Sequence, residues 1–101
     1  MSYEDLRGKT FVVTGAASGV GRATSILLAE QGANVGLLDL KAPDTVAEHI
    51  WKAGGKCIAI ACNVQFTAEV DHAIKTVADK FGGLDGNKRK EKKNRHILIE
   101  K

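Results

Sequence analysis

Long apolar runs are missing from this 101-residue sequence. The longest extend over only a few residues, far short of the roughly 20 that a membrane-crossing helix needs. No basic-then-apolar leader precedes the first strand-like segment, so no secretory signal is expected. The expected location is cytoplasmic, with mitochondria as the alternative. Cysteine is scarce too. Cys57 and Cys62 stand five apart with no CxxC and no His partner. On one strand that odd spacing puts them on opposite faces, which argues for free thiols in a reducing compartment. His49, His72 and His96 fall in three separate elements and read as exposed or capping residues. No cluster has metal-ligand spacing, so no metal is expected. Aromatics make up 5%, with one tryptophan and one tyrosine. Trp51 reads as partly buried packing. The length allows one small domain, which buries about two-thirds of its unfolded surface and is therefore marginally stable.

The formal charge of +3 is unevenly distributed. Residues 1–86 hold 8 Lys and Arg against 10 Asp and Glu, a net −2, while residues 87–101 hold 7 against 2, a net +5. The run Lys88-Arg89-Lys90-Glu91-Lys92-Lys93 is of the nuclear-localisation or polyanion-binding kind. Without interleaved aromatics it reads as solvated charge, and a nucleic-acid role is disfavoured.

Between Lys9 and Phe81 apolar runs alternate with helical periodicity. Thr10-Phe11-Val12-Val13 predicts a first strand. Val20, Ala23 and Leu27, with Ile26 and Leu28 beside them, predict the inward face of a first helix, stopped at Gln31-Gly32. Asn34 to Leu40 predicts a second strand. Pro43-Asp44 opens a second helix with Val46, Ala47, Ile50 and Ala53 inward. Lys56 to Val64 predicts a third strand. Thr67 is the expected cap of a third helix carrying Val70, Ile74, Val77 and Phe81. This alternation predicts an α/β fold with three parallel strands in the order 3-2-1 and helices on both faces.

The segment Thr14-Gly15-Ala16-Ala17-Ser18-Gly19-Val20-Gly21 lies between the first strand and the first helix. A dinucleotide pyrophosphate needs bare backbone N–H groups and a helix N-terminus, and side chains there would block it. Gly15 allows the tight turn, Gly19 the close approach and Gly21 the tight packing of helix on sheet. Asp39 follows Gly21 by eighteen residues, near the spacing of about 20 expected of a ribose-binding acid. A carboxylate there accepts from both ribose hydroxyls and repels a 2′-phosphate, which favours NAD over NADP. Neither Ser18 nor Leu40 brings a cation for that phosphate, and Lys41 reads as a solvated loop residue.

With these residues the sequence resembles the short-chain dehydrogenase/reductase family, whose TGxxxGxG signature is matched by TGAASGVG at 14–21. The resemblance runs from Leu6 to Gly86 and includes GANVGLLDL at the second strand. Its wording is nearest the type-2 3-hydroxyacyl-CoA and 17β-hydroxysteroid dehydrogenase branch. It implies the N-terminal half of a Rossmann doubly wound sheet at 1–86. The implied cofactor contacts are Gly15, Ser18, Gly19, Val20, Gly21, Asp39, Leu40, Asn63 and Val64. Asn63 stands where the family usually has Asp, and an Asn can still accept from the adenine amine. Family members are usually homo-oligomeric and act on small molecules.

The resemblance also implies a Tyr-x-x-x-Lys pair and an orienting Ser, and these are missing. Tyr3 is followed four residues on by Arg7, and Ser18 and Ser25 belong to the turn and its helix. No catalytic residue is nominated. The abrupt change after Gly86 leaves 87–101 as a basic, aberrant or disordered tail, of the kind a retained intron, frameshift or misplaced gene boundary produces. Losing strand four would leave Thr10 to Thr14 as an open edge, with His96 to Ile99 as a makeshift partner. Two functions follow as expectations. One is an NAD-dependent oxidoreductase acting on a hydroxyl or carbonyl, known here by its cofactor-binding half. The other is a catalytically inactive nucleotide-binding or interaction module with a basic tail.

Overall fold

The computed structural model describes residues 6–81 and the backbone strand 95–99. The elements in chain order are β1 (Thr10–Thr14), α1 (Gly19–Glu30), β2 (Asn34–Asp39), α2 (Asp44–Lys52), β3 (Lys56–Ala61), α3 (Thr67–Lys80) and β4 (Arg95–Ile99). The three expected strands are parallel and adjacent in the expected order. The strand at 95–99 joins the other side of β1, giving the order β3-β2-β1-β4. The open edge expected at Thr10 to Thr14 is therefore corrected: all five residues pair in parallel with Arg95–Ile99. The physical reason is that β1 is buried along its whole length, where unpaired peptide groups are costly. The junction at Gly86 and the run Lys88–Lys93 lie outside the described residues.

The strands alternate their side chains between two cores. Val13, Val35, Leu37 and Cys57 point to the face covered by α1 and α2. Val12, Leu38 and Cys62 point to the face covered by α3. This is the period-two pleat of a sheet covered on both sides. Both cysteines are free and buried, one in each core, as their odd spacing predicts. Among the described residues no helix is long and apolar enough to cross a membrane.

The helices depart from three further sequence expectations. Helix α1 does not bury Val20, Ala23 and Leu27; Val20 and Leu27 are exposed, and Gly21, Ser25 and Ala29 are buried instead. Small residues face the sheet because α1 approaches too closely for larger ones. Ala53 is exposed beyond the end of α2. Thr67 is the first helical residue of α3, and the cap position falls on Phe66, whose backbone is extended.

Candidate functional site

The carboxyl ends of β1, β2 and β3 lie side by side, and each delivers part of one site. From β1 the chain enters the turn through Gly15 at φ 67°, a left-handed conformation that suits glycine. Gly19 at φ 60° starts α1, and a Cβ added there would meet no protein atom within 4 Å. Gly21 is constrained differently. A Cβ on it would lie 2.7 Å from the carbonyl carbon of Gly15 and nearer still to its oxygen. That contact excludes every other residue and fixes the helix against the turn.

The N-terminus of α1 is left open. Ser18 caps it in extended backbone but makes no side-chain cap hydrogen bond, and the first turn holds no acidic residue. The positive end of the helix dipole and its first N–H groups therefore lack a side-chain acceptor. Ser25 steadies the helix one turn on, donating its hydroxyl to Gly21 O at 2.8 Å.

Asp39 ends β2 directly beside this turn. Its Oδ2 accepts the Ala17 N–H at 3.0 Å, and its Oδ1 accepts the Leu40 N–H at 2.8 Å. Each oxygen thus has one backbone donor and a second lone pair to offer. The Ala16 N–H donates to Leu38 O at 3.0 Å, and the Cys62 N–H to Asp39 O at 2.7 Å. The three strand ends are therefore joined by short hydrogen bonds.

Beyond β3, Asn63 is held at both ends. Its N–H donates to Glu69 Oε1 at 2.8 Å, and its Oδ1 accepts the Gln65 N–H at 2.9 Å. One lone pair of that amide oxygen is thus already used. Val20, Leu40 and Val64 are exposed around the same end of the sheet. An apolar space of about 250 Å³ opens beside them, lined in part by Thr14, Val64 and Thr67. Two contributors escaped sequence reasoning: the Ala17 N–H that binds Asp39 and the Glu69 carboxylate that binds Asn63. In both bonds the donor is a backbone N–H, which residue type does not mark, and the Glu69 carboxylate that accepts one of them is set only by the path of the chain into α3. Among the described residues no group of three His, Cys, Asp or Glu could hold a metal.

An open glycine turn, a bare helix N-terminus and a strand-end carboxylate stand together at the carboxyl edge of a parallel sheet, the place where open α/β sheets receive ligands. The profile of the short chain dehydrogenase family matches residues 9–86, and the chain belongs to that family. A 2,5-dichloro-2,5-cyclohexadiene-1,4-diol dehydrogenase from Sphingobium indicum is 42% identical over 83 residues, covering 81% of this chain and 32% of that protein. A 3-hydroxyacyl-CoA dehydrogenase type-2 from Drosophila melanogaster is 41% identical over 81 residues, covering 79% and 31%. A solved structure from Haemophilus influenza with bound NAD superposes with a TM-score of 0.73 at 30% identity, covering 79% of this chain and 30% of that one. The chain thus spans about a third of the length of these relatives.

Proposed function

We propose that this chain carries the adenosine and pyrophosphate half of an NAD site, within an oxidoreductase acting on an alcohol or carbonyl. The observation that carries the reading is the pairing of an uncapped α1 N-terminus with Asp39 across the glycine turn. The residues fit the cofactor: Gly19 leaves open space where a Cβ would stand, and no side-chain carboxylate competes for the first turn of α1. Bound NAD would supply the hydride acceptor. The chain's own residues would do the holding. The N–H groups at the start of α1 would face the pyrophosphate. The second lone pairs of Asp39 would accept the ribose hydroxyls, and its charge would repel a 2′-phosphate. Leu40 and Val64 would flank the adenine, with Asn63 at its edge.

The whole-protein activity is proposed for a chain that also carries the family's Tyr and Lys, which these 101 residues do not. A 3-hydroxyacyl-CoA or a hydroxysteroid is the substrate class proposed for that protein, following the branch resemblance. The relative from Drosophila supports the first of these. The test is calorimetric titration of the chain with NAD and with NADP. NAD should bind more tightly, and Asp39→Ala should weaken it roughly tenfold or more, as loss of a charged acceptor costs. Asp39→Asn keeps an acceptor for Ala17 and removes the charge, so it should narrow the gap between the cofactors. Equal binding of both by the unmodified chain would overturn the reading.

A further inference from the structure

The amino ends of β2 and β3 enclose a second concavity, at the opposite end of the sheet from the glycine turn. Its volume is about 450 Å³, and its walls include Asn34, Trp51, Lys56, Cys57, Lys80 and Phe81. That volume suits a small organic ligand. Both charged residues in the wall are cations, although residues 1–86 together are net negative. Among the described residues neither ammonium is engaged in an ion pair. Lys80 stands in the last turn of α3, where a cation also complements the helix dipole. Lys56 has no such duty. It opens β3, and the last carbonyls of α2 already accept the N–H groups of Ala53, Gly54 and Gly55.

Trp51 supplies the third element. Its indole N–H donates to Cys57 O at 3.1 Å, yet the residue is 53% exposed. A ring pinned by its own N–H is a preformed stacking surface, so a planar ligand need not order it. We propose that this concavity binds a small aromatic phosphate, with the ring on Trp51 and the phosphate held by Lys56 and Lys80. The proposal does not depend on the dinucleotide reading, since the two sites lie at opposite ends of the strands.

Trp51 is the single tryptophan of the chain, so its emission reports on this site alone. The experiment titrates the full chain with phenyl phosphate, which has no ribose for Asp39 to bind. Trp51 emission should change saturably. Inorganic phosphate and phenol, each carrying half of the recognised chemistry, should bind at least roughly tenfold more weakly. Lys56→Glu and Lys80→Glu should each weaken phenyl phosphate by a similar factor, and Lys56→Gln and Lys80→Gln by a smaller one. All four changes fall on exposed side chains and should leave circular dichroism and NAD titration unchanged. No saturation by about 10 mM would overturn the proposal, that range lying above ordinary ligand affinities. So would equal binding of inorganic phosphate, or indifference to both lysine changes.

Discussion

The two faces of the sheet are packed by different means. On the face of α1 and α2, α1 buries Gly21, Ser25 and Ala29, and at Gly21 backbone touches the backbone of the turn. On the face of α3, Val77 packs into the space that Gly36 leaves on β2, and Val70, Ile74 and Phe81 lie on Val12 and Leu38. There the contact is side chain on side chain, and it leaves about 250 Å³ open near Val64 and Thr67. The difference follows from what each helix positions. On the proposed reading helix α1 offers its own N–H groups to the cofactor, which calls for a rigid support. Helix α3 covers the sheet through side chains and can shift slightly as a body against it.

That contrast is open to direct attack. The largest effect should come from Gly21→Ala, whose methyl would run into the carbonyl of Gly15. Backbone cannot give as a side chain can, so a loss of about 3 kcal/mol or more is expected in urea unfolding. A domain this small has only about 5–15 kcal/mol in all. Gly36→Ala places a methyl 2.5 Å from Cγ2 of Val77, a buried branched side chain, so relief must come from a small shift of α3 rather than of the turn's backbone. Its cost should be smaller, about 1–2 kcal/mol, with NAD affinity of the folded fraction retained. If Gly36→Ala proved the costlier of the two, the contrast between the faces would fail.

A smaller effect separates the thiols. Burial pushes Cys57 up from 9.0 to about 11, partly offset by the Lys80 ammonium, and burial and then the Glu69 carboxylate raise Cys62. Well below pH 9 Cys57 keeps its proton in both folded and unfolded chains. Above it the unfolded chain ionises first, so the Cys57 contribution to stability falls as pH rises towards about 11. Cys57→Ala should flatten that decline in melting temperature. At pH 8 a chromogenic disulfide reagent should label neither thiol in the native chain and both after urea. Rapid native labelling of Cys57 would show that the α1–α2 face opens more readily than its packing implies.

Much of this arrangement was legible in the residues, and the exceptions have causes. Strand order followed from alternation, because parallel strands joined by helices leave few topologies. The turn was legible because its glycines answer to different demands: a left-handed φ at Gly15 and Gly19, and contact at Gly21. The inward face of α1 was misread for the same reason. Periodicity favours large apolar residues inside, whereas a helix that must touch a turn buries its smallest ones. The place of Asp39 beside the turn follows from its spacing, but its bond to Ala17 does not, since any residue at 17 except proline has that N–H. The strand at 95–99 follows a charged run and lies beyond the family match at 9–86, so only its short apolar content marked it.

The pairing of β1 with β4 also imposes an order in time. Thr10 meets Asn34 early in synthesis but must wait for Arg95 to complete its other side. Until then a nascent sheet of three strands presents an apolar, unpartnered edge. Contacts so distant along the chain form slowly, because the closure entropy comes before any reward. The buried strand that anchors the glycine turn is thus the one left longest without its second neighbour. Holding the chain soluble through that interval falls to chaperones or to dilution.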